Sequence, residues 1–124
     1  MKITKHAVDE FLIVEISGIL DSNSGGALFD ALMEAVGDGW KKLIVDLSGV
    51  AFLTHAGVRG LIVAAKLLRN GRGDMRICGV DRPGAARLRS LGFYHLLKID
   101  PTVEASMLAL FAEANGVMPR ARAA

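Results

Sequence analysis

The run Lys42-Leu43-Ile44-Val45-Asp46-Leu47 constrains the fold of this 124-residue chain more than any other segment. It is continuously apolar apart from one carboxylate, and it is rich in β-branched side chains. Such runs suit a strand covered on both faces, at the centre of a parallel sheet. Parallel neighbours need crossover connections, and the flanking sequence supplies helical spacing for them. Leu28, Leu32, Ala35 and Val36 predict a helix over about 23–37, with Asp21-Ser22-Asn23-Ser24 as candidate N-caps. Val58, Leu61, Ile62, Ala65 and Leu68 predict a second over 56–69, with Arg59, Lys66 and Arg69 on its polar side.

The remaining elements follow from the same two periods. Residues 2–8 and 11–17 read as an antiparallel hairpin turned at Asp9-Glu10, with Gly18 breaking the pattern. Residues 48–55 read as a loop, 70–73 as a turn and 74–80 as a strand. Pro83 opens a helix that ends near Leu91-Gly92, Leu96–Ile99 reads as a last short strand, and Pro101 begins a helix to about Ala114. The expectation is one α/β domain over 1–114, mostly parallel, with about five strands, an N-terminal antiparallel hairpin and about four helices. Residues 115–124 lose periodicity and are expected to be a flexible tail.

Composition narrows the function classes. The apolar stretches 11–16 and 61–68 fall far short of the ~20 residues of a membrane span, and neither follows a basic leader, so a soluble, unexported chain is expected. A single cysteine, Cys78, allows no disulfide or zinc framework and reads as a small buried hydrophobe in a strand. Residues 1–38 carry seven acids against two bases, whereas 39–100 carry eleven bases against four acids. The basic middle is spread over several elements without interleaved aromatics, which argues for solvated helix faces and against nucleic acid.

No catalytic or cofactor set emerges. His6, His55 and His95 have no metal-ligand spacing, and Ser22, Ser24 and Ser48 lack a nucleophile motif. Gly71-Arg72-Gly73 follows a helix and precedes a strand, the reverse of a phosphate loop, and reads as a turn. Asp21 and Asp46 stand where carboxylates cap helices or bind backbone N–H groups. The helix start at 54–57, with Thr54 as cap, is a place that tolerates added negative charge.

Four segments at consistent spacing give the chain a recognisable pattern over roughly residues 8–112: Gly18-Ile19-Leu20-Asp21, Ile44 through Leu53, Thr54 through Leu61, and Met75–Val80 with Arg87–Phe93. The pattern resembles the STAS domain of bacterial anti-sigma factor antagonists. That resemblance implies a non-enzymatic, cytoplasmic regulator without cofactor that docks on a serine kinase anti-sigma factor of the ATPase type and so releases a sigma factor. It implies a partner surface of Asp21, Ser22, Asn23, Ser24, Thr54, His55, Ala56, Gly57, Val58 and Arg59, with Gly57 at a tight junction against the sheet. His55 occupies the position of the family's phosphorylatable serine, so the usual switch is expected to be absent. A homodimer is compatible with this reading, and membrane insertion is not. The alternatives are a STAS subunit touching the ATPase of an ABC transporter, and a small α/β enzyme or nucleotide binder using its strand-end loops.

Overall fold

A computed structural model describes residues 1–116. Its elements, in chain order, are β1 (Lys2–Val8), β2 (Phe11–Leu20), α1 (Ser22–Gly37), β3 (Lys42–Leu53), α2 (His55–Asn70), β4 (Asp74–Cys78), α3 (Arg82–Ser90), a 3-10 turn (Tyr94–Leu96), β5 (Ile99–Asp100) and α4 (Val103–Ala114). The five strands form one sheet in the order β1-β2-β3-β4-β5. β1 and β2 are antiparallel, and every later pairing is parallel. The central parallel strand expected from Lys42–Leu47 is β3.

Alternation sends Leu12, Val14 and Ile16 of β2, Leu43, Val45 and Leu47 of β3, and Met75 and Ile77 of β4 into one core beneath α1, α2 and α3. On the opposite face Phe11, Ile13, Ile44 and Cys78 meet Leu110 of α4 in a much smaller cluster. Cys78 is fully buried, as the sequence reading held, and burial pushes its thiol up to about 12.

Several boundaries differ from expectation, each for a local reason. β2 does not stop at Ser17, because Gly18 takes a φ of 103° and absorbs a register shift, after which Ile19 and Leu20 pair with Phe52 and Leu53. That pairing converts the expected loop at 48–53 into the second half of β3. β4 ends at Cys78 and not at Val80, since its neighbour β5 offers only Ile99 and Asp100 as partners. The expected strand at 96–99 falls instead on Ile99–Asp100, with Leu96 closing the 3-10 turn. α4 starts at Val103, two residues after Pro101, where Thr102 caps it. Beyond residue 116 the expected tail lies outside the described residues.

The α4 face is held by charge as much as by apolar contact. Arg76 donates from Nε and Nη2 to the two carboxylate oxygens of Asp100, at 2.8 and 2.9 Å, and from Nη1 to Glu113 at 3.0 Å. The buried Ser106 hydroxyl donates to Asp100 at 2.7 Å. Burial alone would raise the Asp100 carboxyl, but the hydrogen bonds from Arg76 and Ser106 outweigh it and hold it below its ordinary value.

Candidate functional site

The ends of β2 and β3 bring residues 19–24 and 52–59 together. The Thr54 backbone N–H donates to the Leu20 carbonyl at 3.0 Å, so the chain enters α2 directly beside its entry into α1. Two glycines make this approach feasible. A Cβ at Gly57 would lie 2.5 Å from the Leu20 carbonyl carbon and 2.8 Å from the Asp21 nitrogen, inside the strand-to-helix backbone. A Cβ at Gly25 would lie 3.1 Å from the Gly57 Cα. The tight junction implied for Gly57 is therefore present as backbone-on-backbone packing.

The two helix starts are finished differently. Asp21 caps α1: its Oδ1 accepts from the Asn23 and Ser24 N–H groups at 3.0 and 3.1 Å, and Ser24 Oγ accepts from the Asp21 N–H at 2.8 Å. The Ser24 hydroxyl donates onward to the Ile19 carbonyl at 2.7 Å. The Ser24 N–H bond is the main reason that the Asp21 carboxyl lies below its usual value. α2 is capped by neutral Thr54, whose Oγ1 accepts from the Gly57 N–H at 3.2 Å, and its first turn contains no acid. The positive end of the α2 dipole is thus not offset by a carboxylate of its own first turn.

The residues singled out in the sequence divide into an outer and an inner set. Ser22, Asn23, His55, Ala56 and Arg59 are exposed. Asp21, Ser24 and Thr54 are half-buried caps, while Gly57 and Val58 are buried. Val58 belongs to the core, as its place on the apolar period of the helix implies, and is removed from the partner surface, because the α2 period that presents His55 and Arg59 turns Val58 toward Leu61 and the sheet. Asp46 also plays the structural part expected of it, accepting from the Ser48 N–H at 2.9 Å.

Four neighbours that the sequence did not assign to this surface complete it. Ile19 and Phe52 are 52% and 49% exposed and are cross-strand partners, so they form one apolar step next to the helix starts. The Arg87 guanidinium lies 5.0 Å above the Phe52 ring, and its Nε donates to the Leu53 carbonyl at 3.3 Å. The His55 ring stands 4.7 Å from that of Phe93, which ties the start of α2 to the segment after α3. The available signal was strand alternation: with Leu20 and Leu53 pointing inward, Ile19 and Phe52 must point out.

Among the described residues no group of three or more His, Cys, Asp and Glu side chains is arranged to hold a metal, and no helix is long and apolar enough to cross a membrane.

Comparison with known proteins places this geometry. The BtrV protein of Bordetella bronchiseptica, assigned as an anti-sigma factor antagonist, is 26% identical over 109 residues, covering 88% of this chain and 94% of BtrV. A serine-to-glutamate variant of Moorella thermoacetica RsbS superposes with a TM-score of 0.78 at 20% identity, over 93% of this chain and 99% of RsbS. SpoIIAA in its unphosphorylated form superposes at 0.68 and 14% identity, over 94% and 100% of the two chains, and its Bacillus phosphorylated form has also been solved. The sequence profile of the STAS domain matches residues 2–106, and the chain belongs to the STAS domain family.

Proposed function

We propose that the chain is a non-enzymatic regulator that binds a protein partner through the paired helix starts of α1 and α2, in the manner of an anti-sigma factor antagonist. The partner under this reading is a serine kinase anti-sigma factor, whose capture releases a sigma factor. The observation that carries the proposal is the outward set Ser22, Asn23, His55, Ala56 and Arg59, presented beside the apolar step of Ile19 and Phe52 on a closely packed backbone. An apolar step rimmed by polar groups on a rigid frame is the usual anatomy of a protein interface. The assignment of BtrV as an anti-sigma factor antagonist supports the choice of partner class.

His55 sets this chain apart within that proposal. A serine kinase needs a hydroxyl, and His55 offers none, while the neighbouring Thr54 hydroxyl is engaged as the α2 cap. Binding is therefore constitutive. Protonating His55 would add positive charge where a phosphate adds about −1.5 to −2, so acid does not imitate the modification.

The test is incubation of the purified chain with the candidate kinase and ATP, followed by intact mass and binding measurements. No added phosphoryl group and unchanged binding are expected. One phosphoryl group at Thr54 or His55, with loss of binding, refutes constitutive action. His55→Glu should weaken the complex by about tenfold, because it places a carboxylate in a desolvated contact. Capture of transporter ATPase subunits from the native cell, in place of a kinase, would support the transporter reading instead.

A further inference from the structure

A groove lies away from the helix starts, between the second half of α2 and the segment from the 3-10 turn to β5. Its volume is about 350 Å³. Ile62, Ala65 and Leu97 form an apolar floor that is nearly closed to solvent, and Leu96 stands at the edge with 49% of its surface exposed. Lys66, Arg69, His95 and Lys98 line the rim, so every polar side chain of the lining is basic; Lys98 is already paired with Asp74 at 2.7 Å, with Glu113 3.8 Å away.

Four of the described cations are held by carboxylates, and those of the groove's helical rim are not among them. Lys5 is paired with Glu34, Lys42 with Glu10, Arg76 with Asp100 and Glu113, and Lys98 with Asp74. Lys66 and Arg69 have no ion-pair or hydrogen-bond partner for their side chains among the described residues. Arg69 lies in the last turn of α2, where a cation complements the helix dipole, but this accounts for neither Lys66 nor His95.

We propose that this groove is a second docking site, which takes a short acidic segment of a partner protein carrying an apolar anchor side chain. Both halves of the occupant's chemistry are specified by the site. The floor and Leu96 accept an aliphatic side chain, while Lys66, Arg69 and His95 accept flanking Asp or Glu. From Ile62 to Arg69 the helix rises about 10 Å, which matches about three residues of extended chain. A nucleic acid fits less well, since the site offers few cations and no aromatic platform for bases. Because α2 is rigid between its two ends, a partner seated here need not compete with one seated at His55, and the two sites stand or fall separately.

The test uses the full chain, labelled with nitrogen-15, and a short acetylated peptide in which two leucines alternate with aspartate and glutamate. Saturable amide shifts are expected in residues 62–69 and 94–98, weakening as salt is added. The same peptide with asparagine and glutamine in place of the acids should give no saturable shift. Lys66→Glu with Arg69→Glu should lower affinity about tenfold or more, and Leu96→Ser about fivefold. Should the charge reversals disturb the amide spectrum of the free protein, Lys66→Gln with Arg69→Gln provides the same comparison with less perturbation.

Four results would overturn the proposal. They are no saturable shift at millimolar peptide, shifts centred on residues 54–59, binding indifferent to both pairs of substitutions, or tighter binding of a single-stranded oligonucleotide at the same amides. A concentration-dependent dimer abolished by Leu96→Ser would also overturn it, by showing that the groove takes the exposed Leu108 and Phe111 of a second copy.

Discussion

The two faces of the sheet are secured by different physics. Beneath α1, α2 and α3 lie 21 buried apolar residues in one cluster, whereas beneath α4 there are five, supplemented by the Arg76–Asp100–Glu113 network and Ser106. The first face depends on shape, and its most demanding point is the glycine contact that aligns the two helix starts. The second depends on charge pairing at moderate burial, which is more tolerant of substitution and more sensitive to pH. The rigid side therefore carries the candidate partner surface, and the sheet residues that α4 leaves uncovered, such as Glu15 and Asp46, are polar.

The sharpest way to break this contrast is Gly57→Val. A side chain there must displace the Leu20–Asp21 backbone, so a loss of at least about 4 kcal/mol, or failure to fold, is expected by urea denaturation. A variant that melts with the parent would mean that the junction is looser than described. Leu61→Ala, in the fully buried centre of the same face, should cost about 3–4 kcal/mol. On the other face Asp100→Ala should cost less, about 2 kcal/mol, because Arg76 keeps Glu113 and partial access to water. If Asp100→Ala proves as damaging as Leu61→Ala, the division between the faces is wrong.

The smallest expected effect is the most diagnostic of mechanism. Asp100 and Asp74 both titrate below their ordinary value of 3.8 in the folded chain. Their contribution is then fully present above that value and disappears as pH falls through the lower folded values. Asp21 and Glu34 share this window, so the useful quantity is a difference. The stability gap between the parent and Arg76→Met should narrow as pH drops below about 4, because a protonated Asp100 no longer needs its guanidinium. A gap that stays constant down to pH 2 would show that Arg76 acts through packing alone.

Much of this architecture was legible in the sequence because two periods carry it. The apolar run at 42–47 and the helical spacing at 58–68 place the central strand and its crossover without ambiguity. The errors cluster at strand ends. Nothing local in Ser48–Leu53 marks it as strand: its extension depends on pairing with Ile19 and Leu20 across a register shift at Gly18, a contact 33 residues away in sequence. The same blindness hid the apolar step of Ile19 and Phe52. Of the candidate surface, the cap roles of Asp21 and Thr54 follow from residue type, and the exposure of His55 and Arg59 follows from the helix. Val58 was misplaced because a contiguous motif was read as a contiguous surface, while a helix turns every fourth residue inward. The groove beside Leu96 had no signal, since it joins residues from α2 and from beyond α3 that share no motif.

The burial of Cys78 under α4 gives the molecule a built-in clock. Burial pushes its thiol up to about 12, so the reactive thiolate is scarce at neutral pH and is shielded while the helix is seated. An alkylating reagent should therefore mark the protein mainly when α4 lifts from the sheet. The rate of marking then follows how readily the charge-held face opens.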